Sequence, residues 1–383
     1  MTGTRKQKIC LVAASPFTVR VFLTQHVDSL ARVYDVTVIC NTTESDVPLS
    51  LAAGSRLLSV RIERNIKPWS DVVALLRLCC IFRRERFDLV HSVSPKGGML
   101  AQLAAWLMRV PHRIHTFTGQ VWATKTGPSR WLLKFLDRLY ASLATHVLID
   151  SASQKEFLSA QRVVSADKGH VLGNGSISGV DVQRFTPNFP VRADIRRRFN
   201  VADNALLFLY LGRLKRDKGV IDLAAAFADH AKRHAASRLL FVGPDEEGLA
   251  GEIARVCADV RDRLDIVAFT PCPEQFLAAG DVLCLPSYRE GFGSVIIEAA
   301  ACGIPAIASR IYGVTDAVVD GQTGLLHEPG NPQAIVQLLD RLADDDALRK
   351  TMGVAARERA LRSFSQEALT GALLQYYRTV LAS

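Results

Sequence analysis

The stretch Val282-Leu283-Cys284-Leu285-Pro286-Ser287-Tyr288-Arg289-Glu290-Gly291-Phe292-Gly293-Ser294-Val295-Ile296-Ile297-Glu298 changes its period part-way along. Val282 to Pro286 is a continuous apolar run of strand length, and the apolar spacing from Ser294 to Cys302 is helical. A strand apolar on both faces that feeds a helix is the unit of a parallel sheet covered on both sides. In the loop between, Gly291 and Gly293 let backbone approach a ligand without Cβ clashes. The helix start at Ser294 offers unpaired N–H groups and a positive dipole end, which suit phosphate. Glu290 and Glu298 flank that anion site, and carboxylates accept hydrogen bonds from hydroxyls. Phosphate in the middle with hydroxyls on both sides describes a sugar nucleotide. Taken alone, the same residues also fit a capped helix with an exposed first-turn glutamate.

Outward from this stretch the alternation continues in both directions. Strands are predicted at 206–211, 238–242, 265–268, 282–286, 305–309 and 324–327, with helices at 219–234, 246–260, 294–302, 332–344 and 346–363. The first half repeats the pattern, with strands at 8–13, 35–40, 57–62, 88–93, 113–118 and 146–150 and helices at 22–33 and 72–82. Pro187 and Pro190 break both periodicities near 185–191, where the linker is placed. The fold class expected is α/β, with two doubly wound Rossmann-like domains facing a central cleft. In such sheets ligands bind outside the carboxyl ends of the strands.

The second segment with chemistry is Gly212-Arg213-Leu214-Lys215-Arg216-Asp217-Lys218-Gly219, directly after the strand 206–211. A strand ends, a glycine turns the chain, and cations project from the loop before a helix. Such residues neutralise a diphosphate, and a solvated basic turn fits them equally well. The glycine spacing and the GK[ST] ending of a Walker A loop are absent.

Composition bounds the rest. With 383 residues, 49% hydrophobic and 22% charged, the chain is globular, not disordered, and long enough for two cores. No run reaches the roughly 18 apolar residues of a membrane-spanning helix, and the polar residues 1–8 are expected to carry no secretory signal. The eight cysteines form no CxxC pair, which suits reduced thiols in a cytoplasmic protein. The net charge of +9 is unevenly placed: residues 1–185 hold 24 Lys+Arg and 13 Asp+Glu, a balance of +11, and the remainder holds 23 and 25, a balance of −2. A basic half suits an acidic partner: nucleic acid, an anionic membrane or a phosphorylated substrate. No finger, helix-turn-helix or RNA-recognition pattern supports nucleic acid.

Together the two loops resemble the family 4 retaining glycosyltransferases, which have the GT-B fold. The resemblance spans nearly the whole chain and is most specific in Gly212-Arg213-Leu214, Lys218-Gly219, Gly243 after a strand, Glu290 and Glu298 with seven residues between them, and Asp320-Gly321-x-x-Gly324-Leu325. It implies an N-terminal acceptor-binding domain over 1–187 and a C-terminal nucleotide-sugar-binding domain over 188–365. It also implies a C-terminal helix over 366–383 packing back on the first domain. Arg213 and Lys218 would contact the donor diphosphate, Glu290 the transferred sugar's hydroxyls, and Glu298 the ribose diol. Gly212 and the backbone of Phe292, Gly293 and Ser294 complete the donor set. His115, in Arg113-Ile114-His115-Thr116-Phe117-Thr118-Gly119-Gln120, matches the family's strand-end histidine and would face the reacting sugar. Outside the family context it fits a buried core histidine better. Asn174-Gly175-Ser176-Ile177-Ser178-Gly179-Val180-Asp181 resembles the family's interdomain turn, with a short insertion.

Many members have a glycine-rich loop after the first strand, where this chain has Ala13-Ala14-Ser15-Pro16-Phe17-Thr18. Pro16, Phe17 and Thr18, with Lys96, are expected to bind the acceptor. This loop, with 117–120 and 175–177, resembles a narrower bacterial group that extends undecaprenyl-diphosphate-linked saccharides for capsule, O-antigen or protein glycans. The implied reaction moves a hexose or N-acetylhexosamine from a nucleotide-diphosphate sugar, UDP-linked by family weight, with retained configuration. No metal ligands and no cofactor are expected, because no Asp-x-Asp stands at a strand end in the donor half. Arg130, Lys134 and Arg138 share one helical face, with Trp131, Phe135 and Leu139 on an adjoining one. With Arg83, Arg84 and Arg86 they form the expected contact with anionic lipid, and an amphipathic helix packed on a sheet fits them as well. The expected location is cytoplasmic, on the inner face of the cytoplasmic membrane. The competing readings are a sugar-nucleotide 2-epimerase of the same fold and a non-catalytic sugar-nucleotide-binding protein.

Overall fold

A computed structural model describes residues 5–44, 49, 51, 53–63 and 67–383. The chain forms two compact units, one of residues 1–178 with 366–383 and the other of residues 179–365. Each is built on one fully parallel sheet.

In the first unit the strands are β1 (Lys8–Val12), β2 (Asp35–Cys40), β3 (Ser55–Ser59), β4 (Leu89–Val93), β5 (His112–Phe117), β6 (His146–Ile149) and β7 (Gly169–His170), in the order β3-β2-β1-β4-β5-β6-β7. In the second they are β8 (Leu207–Leu211), β9 (Arg238–Val242), β10 (Leu264–Val267), β11 (Val282–Leu285), β12 (Ala306–Ser309) and β13 (Gly324–His327), in the order β10-β9-β8-β11-β12-β13. The order reverses between β1 and β4 in one sheet and between β8 and β11 in the other. A crevice opens at such a reversal, because the connections leave to opposite sides. The helices that position the site are α1 (Thr24–Ala31), α2 (Pro68–Glu85), α3 (Pro95–Leu107), α4 (Gly127–Leu143), α5 (Phe189–Arg198), α6 (Val220–His230), α7 (Ser294–Ala301), α8 (Pro332–Asp344) and α9 (Gln366–Ala382).

The central strands read as unbroken apolar runs because both faces are covered: β4, β11 and β12 are buried at every residue. Helix α9 belongs to the first unit, where Leu373, Tyr377 and Val380 enter the core. Two buried histidines fasten it. His26 Nδ1 lies 2.9 Å from Thr370 Oγ1, and His91 Nδ1 lies 2.6 Å from Tyr377 Oη. Burial drives the His91 imidazole down to about 3, so it stays neutral and its ring nitrogens serve as hydrogen-bonding partners.

Three expectations shift. The domain boundary falls after Ser178, not after 187, because Val180 and Phe185 belong to the second core. The prolines there mark a helix start, with Pro190 in the first turn of α5 and Asn188 Oδ1 accepting from Val191 N. The strand predicted at 57–62 is Ser55–Ser59. The helix predicted at 246–260 begins only at Ala250, because the Asp245 carboxylate accepts from Leu249 N and Ala250 N and ends the preceding loop there.

Candidate active site

At the switch point of the second sheet two loops meet, 212–219 after β8 and 286–293 after β11. Glycine allows the approach. Gly219 has φ +67°, and a Cβ on it would lie 2.0 Å from Pro286 O. Gly313 (φ +82°) holds the second loop from the other side, where a Cβ would come within 2.2 Å of Gly291 O. Polar bonds then join the loops. Lys218 Nζ donates to Glu290 Oε1 at 2.7 Å, Arg289 Nη2 to Asp217 Oδ2 at 2.8 Å, and Tyr288 N to Asp217 O at 2.9 Å. Ser287 Oγ donates to the same Glu290 oxygen at 2.8 Å. The Lys218 and Glu290 side chains are only 13% and 16% exposed, so this ion pair is held out of bulk water.

Helix α7 starts beside this pair, with Gly293 at φ +79° as its cap. Ile296 N of its first turn donates to Gly293 O at 2.8 Å, and by the geometry of a helix start the N–H groups of Ser294 and Val295 have no carbonyl one turn back to bond. Phe292 is 2% exposed and packs edge-on against Phe364, ring centroids 5.3 Å apart. Its ring therefore belongs to the core, and only its backbone is available to a ligand. One turn on, Glu298 is half-buried, and burial pushes its carboxyl up to about 7. The nearby Arg184 guanidinium pulls it down and Glu274 pushes it up; those two pair with each other at 2.8 Å. Arg213 is not drawn to Glu290. Its guanidinium pairs with Glu246 at 3.2 Å, while its carbonyl accepts from Tyr210 Oη at 2.7 Å. Lys218, Glu290 and the start of α7 thus come together, while Arg213 is held by Glu246.

The switch point of the first sheet is built differently. After β1, Ser15 caps a single turn over Pro16–Thr18, in which Pro16 is buried and Phe17 is 48% exposed. After β4, α3 begins, and Gly97 packs on the β1 loop: a Cβ there would lie 3.1 Å from Ala14 N. Lys96 pairs with Asp71 of α2 at 2.7 Å. Ser94, just before α3, has φ +78° and ψ 150°, a conformation almost confined to glycine, and its buried hydroxyl has no hydrogen-bond partner. Sequence gave no sign of Ser94; a non-glycine residue held at this φ, ψ is visible only in three dimensions. Asp150, at the carboxyl end of β6, was also missed. It is 4% exposed with an unpartnered Oδ1, and burial raises its carboxyl to about 8, so it is protonated at neutral pH.

His115 requires correction. It lies inside β5, 1% exposed, with Nδ1 2.9 Å from Ser92 Oγ and its ring against Phe117 and Tyr140, each centroid 4.7 Å away. Helix α3 covers it so closely that a Cβ on Gly98 would fall 2.3 Å from its Cε1. Burial lowers its imidazole to about 3. This is a neutral packing histidine, and the residues that follow β5 are Thr118 and Gly119, both half-buried, and the buried Gln120. The basic face of α4 also differs from expectation. Arg130 and Lys134 sit over the Trp122 ring, each 5.4 Å from its centroid. Lys134 donates to Gln161 Oε1 and Arg138 to the carbonyls of Arg162 and Gln161. These cations bond within the fold, Arg138 while still exposed, and Trp131, Leu132, Phe135 and Leu139 are the apolar side chains of the helix left in solvent.

Among the described residues one group has metal-ligand composition, His230, His234 and Asp340. It lies at the far end of α6, about 15 Å along the helix from the 212–219 loop. Asp340 there already bonds His230 and Arg233.

Residues 191–359 match the family described as Glycosyl transferases group 1, and residues 19–175 match the Glycosyl transferase 4-like domain. The capsular polysaccharide biosynthesis glycosyltransferase CapM of Staphylococcus aureus is 29% identical over 324 residues, 84% of each chain. The UDP-Gal:alpha-D-GlcNAc-diphosphoundecaprenol alpha-1,3-galactosyltransferase of Escherichia coli is 27% identical over 79% of this chain and 78% of its own length. Among solved structures, sucrose-phosphate synthase of Thermosynechococcus elongatus superposes with a TM-score of 0.81 at 24% identity, over 98% of this chain and 100% of that one. The chain belongs to the family 4 glycosyltransferases, and its fold is GT-B.

Proposed function

We propose that this glycosyltransferase moves a hexose or N-acetylhexosamine from a UDP-sugar to a lipid-diphosphate-linked saccharide, with retention of configuration and without a metal. The observation that carries the reading is the Lys218–Glu290 pair, 2.7 Å apart and largely buried beside the start of α7. It provides a cation for phosphate, an acceptor for sugar hydroxyls and a helix dipole within one loop pair. As the anomeric bond breaks, charge grows on the leaving phosphate. Lys218, the α7 N–H groups and Arg213, once turned from Glu246, are the groups to stabilise it. Glu290, kept in place by Ser287, accepts from the sugar, and Glu298 accepts from the ribose diol. In the proposed same-face substitution the departing phosphate helps to take the acceptor's proton. Pro16, Phe17, Thr18 and Lys96 hold the acceptor, and the enzyme works on the inner face of the cytoplasmic membrane. The names of the two relatives, one of capsule synthesis and one acting on a diphosphoundecaprenol acceptor, support this substrate class.

The test is transfer from a panel of labelled UDP-hexoses and UDP-N-acetylhexosamines to a short-chain prenyl-diphosphate-linked N-acetylhexosamine, in EDTA, with the product's anomer assigned by NMR. One donor should give a lipid-linked product with the donor's configuration. An inverted product would overturn the mechanism. Conversion of the donor to its 2-epimer without acceptor would replace the transferase by an epimerase.

A further inference from the structure

Helix α6 begins at the donor loop, where Gly219 meets Pro286 O, and ends at His230. His234 follows four residues on, so both imidazoles stand on one side of that end. Helix α8 packs along α6 and brings the Asp340 carboxylate to the same place. Leu339 and Leu342 of α8 are buried in the core, which fixes the side from which Asp340 approaches. Three ligand atoms converge there. His230 Nδ1 lies 2.6 Å and His234 Nε2 lies 3.3 Å from Asp340 Oδ1, and all three atoms are within 4.8 Å of one another. Zinc binds imidazole nitrogen and carboxylate oxygen at about 2.0–2.2 Å, so atoms sharing one ion stand about 3–3.5 Å apart. Small movements of these side chains reach that spacing.

The groups around the cluster are those a metal site requires. A metal-bound histidine donates its other ring N–H to a neighbour, and a metal-bound carboxylate is itself hydrogen-bonded. His230 Nε2 lies 3.0 Å from the buried Ser237 Oγ. Asp340 Oδ2 accepts from Arg233 Nη2 at 2.7 Å, which leaves Oδ1 for an ion. His234 Nδ1 faces Asp344 Oδ1 at 3.9 Å. Each ligand thus has a partner on its far side. At His230 the ion takes the place of the proton shared with Asp340, and the neutral ring carries its proton on Nε2, towards Ser237. His234 supplies the access. It stands past the end of α6 with its side chain 21% exposed, whereas His230 is fully buried. The two rings lie nearly parallel, 13° apart with centroids at 4.4 Å. The His234 ring, on the turn after the helix, is the one that tilts to aim its lone pair at the ion, and its open side admits water as a fourth ligand.

Ligand type selects the ion. Two imidazole nitrogens with one carboxylate oxygen suit Zn²⁺, while Mg²⁺ and Ca²⁺ take oxygen ligands. We propose that His230, His234 and Asp340 form a zinc site that ties the end of α6 to α8 in the second unit. The Arg233 guanidinium beside it opposes a second cation, which favours a removable ion over a permanently held one. The site stands away from the diphosphate loops and takes no part in the transfer, so it rests on no reading of the substrate. Its effect is on the second unit's stability, through the helix whose other end carries the donor loop.

The experiment is calorimetric titration of the full chain, stripped with EDTA and desalted, with Zn²⁺ alone and with Mg²⁺ alone, paired with thermal melts. It is run for the wild type, His234→Ala, Asp340→Asn, Ser237→Ala and His170→Ala, the last an exposed histidine of the first unit. The wild type should take up one Zn²⁺ per chain more than His234→Ala does, with Tm raised by about 5 °C at saturation, and Mg²⁺ should do neither. His234→Ala and Asp340→Asn should lose both the bound ion and the rise in Tm. Ser237→Ala should bind about tenfold more weakly, and His170→Ala should match the wild type. His234 is part-exposed, so its variant should keep the metal-free Tm of the wild type, which separates lost binding from lost fold. Wild type that binds no Zn²⁺, or binds Mg²⁺ equally well, would overturn the proposal. So would Zn²⁺ uptake that survives unchanged in His234→Ala and Asp340→Asn.

Discussion

The two switch points of this chain are built by opposite means. Between β8 and β11 the loops touch through glycine, and fixed charges fasten them: Lys218 to Glu290 and Arg289 to Asp217. Between β1 and β4 one ion pair, Lys96–Asp71, stands beside a strained Ser94 and two helices with tryptophan in solvent. The first arrangement is braced by paired charges and, under the proposed function, suits a small, highly charged donor. The second offers a broad apolar border with little preformed polar geometry, which suits a ligand presented by a surface. A charge-built site loses activity steeply when one group is removed, because the remaining groups are left desolvated and unpaired. A surface-built site loses partitioning gradually, residue by residue.

The largest expected effect is therefore in the second unit. Lys218→Ala should lower kcat/KM by about 10²–10³-fold, with secondary structure intact by circular dichroism. A loss below fivefold would put the leaving-phosphate charge on other residues and break the contrast. Next comes His115. If it packs and does not react, His115→Ala should cost about 3 kcal/mol of stability through the cavity it leaves. It should change kcat per folded molecule less than threefold. Denaturant melts paired with active-site titration separate the two effects, and a hundredfold loss of kcat at unchanged stability would return His115 to the chemistry.

Much of the fold was legible because its signals are periodic. Apolar runs such as 206–211 and 282–286 belong to strands buried on both faces, and the glycine and charge pattern of the two donor loops survives reading in one dimension. What was missed depends on which face of an element packs. Arg130, Lys134 and Arg138 look like a solvated stripe in sequence, yet the first two lie over Trp122 and the third, though exposed, bonds the 161–162 carbonyls, with the aromatic stripe outside. His115 resembled a strand-end residue, but β5 runs on to Phe117 and turns the ring under Gly98. Pro187 and Pro190 suggested a linker, since a proline at a helix start and one in a linker look the same locally. Ser94 could not be found from sequence at all, because its unusual φ and ψ exist only in the folded chain.

The most direct test of the account is calorimetric titration of UDP, without metal, from pH 6 to pH 8, in the wild type and Glu298→Gln. Glu298 has its carboxyl raised to about 7 by burial, so it is mostly protonated at pH 6 and mostly ionised at pH 8. The ribose diol donates hydrogen bonds to the ionised form, so binding should tighten as pH rises through 7. The gain attributable to this group is about tenfold. The nucleotide's own phosphate titrates in the same range, but it does so in both proteins. One site per chain is expected, with a wild-type to Glu298→Gln affinity ratio that grows with pH. No UDP binding by the folded wild type, or the same pH profile in both proteins, would contradict a nucleotide held at α7 of the second unit.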